Sequence, residues 1–270
     1  MKRVIRGAVV AGLLGFVAAA ASPACVEYPQ SVVVTKVVVP KPPESEDSKF
    51  CTVDSEAPGL VSGRLDIFVR QNYRAQLVVL NQLRPAIAKD KGRVETNNVY
   101  LLGATVRLTT VDGLPLDGGA LRSGNEYTVQ GSGFIPASDS GTSSGSIEVS
   151  LIDLAAATTL LGRLKSDLAR NVVNPVTVVL AYVRVNGQTL GGLKVESQEF
   201  QFPIEVCAGC LLNYKEDAPG LGCSLPAKSS GSTGSTTVPV GPCEPGQDQG
   251  VDCNFCASTS PYCQNKTIPK

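Results

Sequence analysis

Two Cys-x-x-Cys pairs carry the most reactive chemistry in this chain: Cys207-Ala-Gly-Cys210 and Cys253-Asn-Phe-Cys256. Thiolates at that spacing form a knuckle supplying half of a tetrahedral zinc site, so a reducing compartment would make the two pairs a four-thiolate set. The same spacing serves thiol–disulfide exchange when the first cysteine stands at a helix N-terminus, but LLNYKEDAPG after Cys210 is a poor helix. In an oxidising compartment the pairs are structural disulfides instead. Five further cysteines, Cys25, Cys51, Cys223, Cys243 and Cys263, complete the set of nine. The compartment decides among the three chemistries.

The first residues, MKRVIRGAVVAGLLGFVAAAA, have the layout of a secretory signal. Lys2, Arg3 and Arg6 form a basic region, and the apolar run from Gly7 to Ala21 is shorter than the roughly 20 residues of a membrane span. Ala19-Ala20-Ala21 offers one cleavage pattern, releasing a chain that begins at Ser22. Ser22-Pro23-Ala24-Cys25 resembles a bacterial lipobox, although that motif usually has Leu where Ser22 stands and a small residue where Pro23 stands. Removing Cys25 leaves eight cysteines, the even number that a disulfide framework prefers. Cys25 is therefore read as a lipid attachment point, residues 1–24 as the signal, and the other eight cysteines as disulfide partners.

Loss of residues 1–24 removes three basic groups and no acid, leaving 246 residues with 21 basic against 24 acidic side chains. Such a mildly acidic chain lacks the concentrated Lys and Arg that phosphate backbones require, so no nucleic-acid partner is expected. Histidine is absent, which excludes Ser-His-Asp and Cys-His nucleophiles, HExxH zinc sites and histidine pH switches. Asp248 and Asp252 in GQDQGVDCN lack the order and the distal Glu of a calcium loop and read as an acidic turn. Asp66, Glu148, Glu196 and Glu199 fall on strand patterns and are expected on solvated faces. No metal, cofactor or catalytic residue is assigned.

The elements that must position these groups are mainly strands. Period-two alternation places Leu65, Ile67 and Val69 on one face, Ala104, Val106 and Leu108 on a second, and Ile147, Val149 and Leu151 on a third. PVTVVLAYVRV reads as a central strand running into an Asn186-Gly187 hairpin turn. QEFQFPIEV aligns Phe200, Phe202, Ile204 and Val206, with Pro203 marking an edge or an unpaired outer side. One helix is predicted, capped by Asp153, with Leu154, Ala157, Leu161, Leu164 and Leu168 at helical spacing and Asn174-Pro175 as its stop. The glycines of GSGF and LGG read as turn formers. Together these predict a β-sandwich of roughly seven to eight strands, Ig-like in architecture, over residues 50–206.

Two flanking regions differ in composition. Residues 25–49 read as a tether, because PKPPESEDSK is too charged and Pro-rich to pack; SVVVTKVVV within it is either part of that tether or a strand added to a sheet edge. Residues 207–270 hold seven cysteines and a Ser/Gly linker at 227–242, so cross-links must replace a core there. Seven cannot pair among themselves, so one is expected to reach Cys51. Cys207 or Cys210, just past the last strand, is the predicted partner. That bond would close a loop of about 155 residues, worth roughly 5 kcal/mol by chain entropy.

The basic signal, the Cys25 motif, the Pro-rich tether, the VCAGC ending of the β-region and the PCEPGQDQGVDC tail resemble cysteine-rich cell-envelope lipoproteins of the myxobacterial type. The resemblance spans the organisation of the chain, implies an outer-membrane or surface location, and brings no catalytic residue. Val26 after the cysteine resembles lipoproteins that leave the inner membrane. The expected function is an envelope-anchored, non-enzymatic structural or binding module, with an envelope protein or polysaccharide as ligand. The rival classes are a His-free hydrolase, carbohydrate-active or Ser-Lys, and a CxxC metal-binding module.

Overall fold

A computed structural model describes residues 31–43, 50–86, 95–116, 126–140, 143–170, 172, 175–213 and 243–252. Two sheets pack face to face. One joins β1 (Val32–Val38), β3 (Tyr73–Asn81) and β6 (Ser143–Ile152) in the order β1-β3-β6. The other runs β2 (Gly63–Asp66), β9 (Phe200–Cys207), β7 (Val176–Thr189), β4 (Val99–Thr110) and β5 (Glu126–Ile135) in the order β2-β9-β7-β4-β5. A short β8 (Lys194–Glu196) pairs with the last residues of β7, beyond where β9 pairs. The chain is mainly β, with sheets packed over one core.

That core follows from the alternation. Ala104, Val106 and Leu108 of β4, Ile147, Val149 and Leu151 of β6, and Phe202, Ile204 and Val206 of β9 are all buried in one cluster. A bulge at Leu102–Gly103 lets Leu101 join them, with Gly103 at φ +153° where other side chains are strained. The helix α1 (Leu154–Ala169) starts at Asp153, whose Oδ1 accepts the Ala156 N–H at 2.8 Å, and it ends at Ala169, ahead of Asn174-Pro175. Ala156, Ala157, Leu160 and Leu164 face the core, whereas Leu154 is exposed. Pro203 sits one residue before β2 begins to pair with β9, so its missing N–H points to an unpaired side.

Three expectations are corrected. Residues 25–49 are not all tether: of the two readings of SVVVTKVVV the added edge strand holds, because β1 pairs antiparallel with β3 and buries Val32, Val34, Val37 and Val38. A valine run of this length is worth more against the open edge of β3 than in water, where its apolar area stays exposed. The folded unit thus begins before residue 50. Asn186-Gly187 is not a turn but lies within β7, opposite Leu101 and Gly103 of β4. A Cβ on Gly187 would stand 2.7 Å from the Tyr100 carbonyl oxygen, so this glycine serves close backbone approach. The reversal comes later, at Leu190–Leu193, where Gly192 takes φ +87°. Gly131 and Gly133 of GSGF likewise lie inside β5, and added Cβ atoms would meet the Glu148 and Ser146 carbonyl oxygens of β6 at 2.9 and 2.5 Å. They let the two sheets draw together along that edge. The LGG pair at Gly191-Gly192 does form a turn, as its sequence predicts.

Candidate functional site: the Cys207–Cys210 turn and the docked C-terminal segment

Cys51 is bonded to Cys243, with Cα atoms 6.0 Å apart and a sequence separation of 192. Cys207 is bonded to Cys210. The expected link from Cys51 into the tail therefore exists, but its partner is neither Cys207 nor Cys210. The reason lies in the ends of the strands. Cys207 closes β9 beside β2, whereas Cys51 sits in a clasp where Lys41 and Thr52 exchange backbone hydrogen bonds of 2.8 and 3.0 Å. The CxxC pair needs only a local turn, and the distal Cys243 is left to reach Cys51. Cys25, Cys223, Cys253, Cys256 and Cys263, with the 227–242 linker and residues 1–24, lie outside the described residues.

Residues 243–252 are part of the β-unit rather than of a separate cysteine-rich extension. Gly246 and Asp248 pair with the outer edge of β2: the Asp66 N–H donates to the Gly246 carbonyl at 2.9 Å, and the Asp248 N–H to the Arg64 carbonyl at 2.9 Å. This covers a strand edge that would otherwise be open. Gln247 lies beside β3. Its Oε1 accepts the Arg74 N–H at 2.8 Å and its Nε2 donates to the Arg74 carbonyl at 2.6 Å. The pair continues the edge of β3 two residues past Gln76, where β1 stops pairing. Arg70 and Glu244 form an ion pair. Beyond these, β10 (Leu212–Asn213) pairs in parallel with β11 (Val251–Asp252).

Two carboxylates, the half-buried Asp248 and the buried Asp66, organise the junction, and sequence reading placed neither there. Asp248, at φ +56°, takes the Arg64 N–H on Oδ1 at 2.6 Å and the Tyr73 hydroxyl on Oδ2 at 2.7 Å. Burial pushes its pKa up, opposed by those two hydrogen bonds. Burial also raises the Tyr73 phenol well above its usual value, and the neighbouring Asp248 charge adds to this. Asp66, expected on a solvated face, is fully buried. Its carboxylate accepts the N–H groups of Phe68 at 3.1 Å, Gly209 at 2.8 Å and Leu211 at 3.0 Å. Burial raises its pKa, again opposed by these donors. A carboxylate with three backbone donors fits the end of a strand where the chain turns sharply. The signal for it was local: an acid between Leu65 and Ile67 in an otherwise apolar run.

Asp66 also lies with both sulfurs of the CxxC pair, one ligand-type atom from each within 4.8 Å of the others. As the structure stands the two sulfurs are bonded to each other, so the trio is not a set of thiolate donors. The remaining acids read as solvated are so placed, and each meets a base or an amide. Glu148 pairs with Arg74 and Gln76, Glu199 with Arg107, and Glu196 with Arg184. Asp252 is placed in β11.

The outer face of the six-stranded sheet is the second feature with binding chemistry. Tyr100 of β4 and Phe134 of β5 form a cross-strand aromatic pair, centroids 5.1 Å apart, and are 47% and 45% exposed. Leu102, 55% exposed, lies beside them on β4. Along the same face the Arg107 guanidinium lies 4.1 Å over the Tyr182 ring. Arg184 lies 3.7–4.0 Å from Glu126, Glu196 and Glu199. Set against known protein families, curated proteins and solved structures, the chain matches none of them.

Proposed function

We propose that this protein is a lipid-anchored, non-enzymatic module of a bacterial cell envelope that binds polysaccharide through the outer face of its six-stranded sheet. The observation that carries this reading is the exposed Tyr100–Phe134 pair with Leu102, set on two adjacent rigid strands. Isolated exposed apolar residues are ordinary, but paired aromatics on one flat face are the composition of a contact surface. Aromatic faces stack on the C–H faces of sugar rings, and Gln188, opposite Tyr100 in register, supplies an amide beside them. The strand partition β1-β3-β6 against β2-β9-β7-β4-β5 supports a sandwich arrangement, whose outer faces commonly serve recognition. The two disulfides support residence in an oxidising compartment. Among the described residues no helix is long and apolar enough to cross a membrane, and the proposed anchor is the acylated Cys25 at the mature N-terminus.

Two measurements test the two halves. Mass spectrometry of the membrane-extracted protein is expected to find acyl chains on Cys25 and no peptide that begins at Ser22. Retention on columns of envelope polysaccharide is expected to fall at least about tenfold for Tyr100→Ala/Phe134→Ala, the loss of two stacked anchors. Retention equal to wild type would rule out polysaccharide as the ligand of this face. Loss of a co-purifying protein in the double variant, with polysaccharide retention unchanged, would make the ligand a protein.

A further inference from the structure

We propose that Cys207-Ala-Gly-Cys210 is an exchange-competent disulfide, opened by an external dithiol that attacks Cys210, with Cys207 as the buried leaving sulfur. Access is the first ground. Cys210 is exposed, whereas Cys207 is only 2% exposed at the end of β9, so an incoming thiolate meets one sulfur of the pair. The second ground is that the turn does not depend on the S–S bond for its shape. Asp66 holds the turn from within β2 through the N–H groups of Gly209 and Leu211, at 2.8 and 3.0 Å. The third is that the reduced state has a place for the new thiol. Cys207 Sγ lies 3.5 Å from the Leu65 carbonyl oxygen, which can accept an S–H in the buried strand end. A bond that opens without unfolding its surroundings, and closes from the same geometry, is what reversible exchange requires.

The step is written for a dithiol, the class a protein Cys-x-x-Cys donor belongs to. One thiolate attacks Cys210 Sγ, the Cys207–Cys210 bond breaks, and its electron pair leaves on Cys207 Sγ, which takes up a proton. The second thiolate of the donor then attacks the donor's own sulfur in the mixed disulfide. Cys210 leaves as a thiolate and takes up the second proton. Two electrons and two protons have passed to the protein, and the donor has become a disulfide.

The test uses the oxidised full-length protein, graded dithiothreitol, alkylation and peptide mapping. Cys207–Cys210 is expected to open at reductant concentrations at least about tenfold below those that open Cys51–Cys243, and to reform on dilution with an unchanged circular-dichroism spectrum. In Cys207→Ser the Cys210 thiol should form a mixed disulfide with an aromatic disulfide reagent at least about 100-fold faster than Cys207 does in Cys210→Ser. Should either variant not fold, the order of opening in the wild type still decides. Opening of both pairs together with loss of structure would overturn the proposal, as would equal reactivity of the two thiols. So would stoichiometric uptake of zinc by the reduced protein with loss of reoxidation, which would assign the Asp66–Cys207–Cys210 trio to metal.

Discussion

Replacing both Cys51 and Cys243 by serine isolates what the long-range disulfide does. The native state has other ties between the same elements: the paired edge of β2, the two Gln247 bonds to Arg74, the Asp248 bonds to Arg64 and Tyr73, and the Arg70–Glu244 pair. Those remain in the double variant, so the loss falls mainly on the unfolded chain, which regains the freedom of a closed loop. For a separation of 192 residues the chain-entropy relation gives about 5 kcal/mol. That is comparable to the whole stability of a marginal domain, about 5–15 kcal/mol. Urea unfolding at neutral pH, with Cys207–Cys210 intact in both proteins, is the assay. The variant should lose about 4–5 kcal/mol and show a steeper urea dependence, since its unfolded chain exposes more surface. A loss under about 1 kcal/mol with an unchanged slope would refute the reasoning that this bond acts by limiting unfolded-state entropy. Single-cysteine variants are unsuitable because the freed thiol can exchange with its neighbours.

Further outcomes follow from the same contacts. Gln247→Ala should cost about 2–3 kcal/mol by stripping both backbone groups of Arg74 of their side-chain partner, and the Arg74 amide should exchange faster with deuterium. Val37→Ala should cost about 2 kcal/mol in the core strand seen here, against under about 0.5 kcal/mol for a valine in an exposed tether; urea midpoints separate the two. Gly133→Val should cost about 2–3 kcal/mol, because its Cβ drives into the Ser146 carbonyl and forces the β5–β6 edge apart, a change thermal unfolding will show. Asp248 has a raised folded-state pKa, so just above the ordinary value of 3.8 the folded state holds a proton that the unfolded state has lost. Its contribution to stability is thus largest below that value and declines as pH rises through the folded pKa. Asp248→Asn, neutral throughout, should flatten this stretch of the urea-midpoint profile; an unchanged profile would mean that Asp248 is not the group involved.

The strands that sequence reading placed correctly are those whose burial is one-sided. Ala104, Val106 and Leu108, or Ile147, Val149 and Leu151, alternate with polar neighbours because one face meets the opposite sheet and the other meets water. Where that asymmetry is missing, the reading weakened. SVVVTKVVV is followed by charge and proline, so its composition left tether and added edge strand both open, and its seven residues join the edge of β3. Asn186-Gly187 carries the strongest local preference for a turn, yet β7 must lie between β4, β8 and β9, and the ladder outweighs the dipeptide. Glycines 131, 133 and 187 share one cause: each sits where another strand's carbonyl comes within van der Waals range of a missing Cβ. Nothing in their neighbours along the chain reports that.

The junction was illegible for a further reason. Apart from the Asp66–Phe68 bond, its side-chain hydrogen bonds join residues 143 to 184 apart, and each runs from one polar side chain to a backbone group or a single phenol. Such contacts have no period and need no particular neighbours, so neither alternation nor spacing can reveal them. Cysteine parity could show that the tail must reach Cys51, because counting does not depend on geometry. Which cysteine reaches it depends on where each strand stops, and that is decided by the polar junction itself. Asp66 fixes the Gly209–Leu211 turn, the turn sets β10 beside β11, and β11 continues the segment whose Gly246 and Asp248 close the edge of β2. With that edge closed by residues 243–252, the aromatic pair at the opposite side of the same sheet, between β4 and β5, stays exposed among the described residues and is the surface to which the proposed ligand is assigned. A truncated chain ending at Asn213 would test this division of labour. It should lose cooperative unfolding before it loses the Tyr100–Phe134 surface, and loss of polysaccharide retention without loss of cooperativity would place the ligand at the C-terminal segment instead.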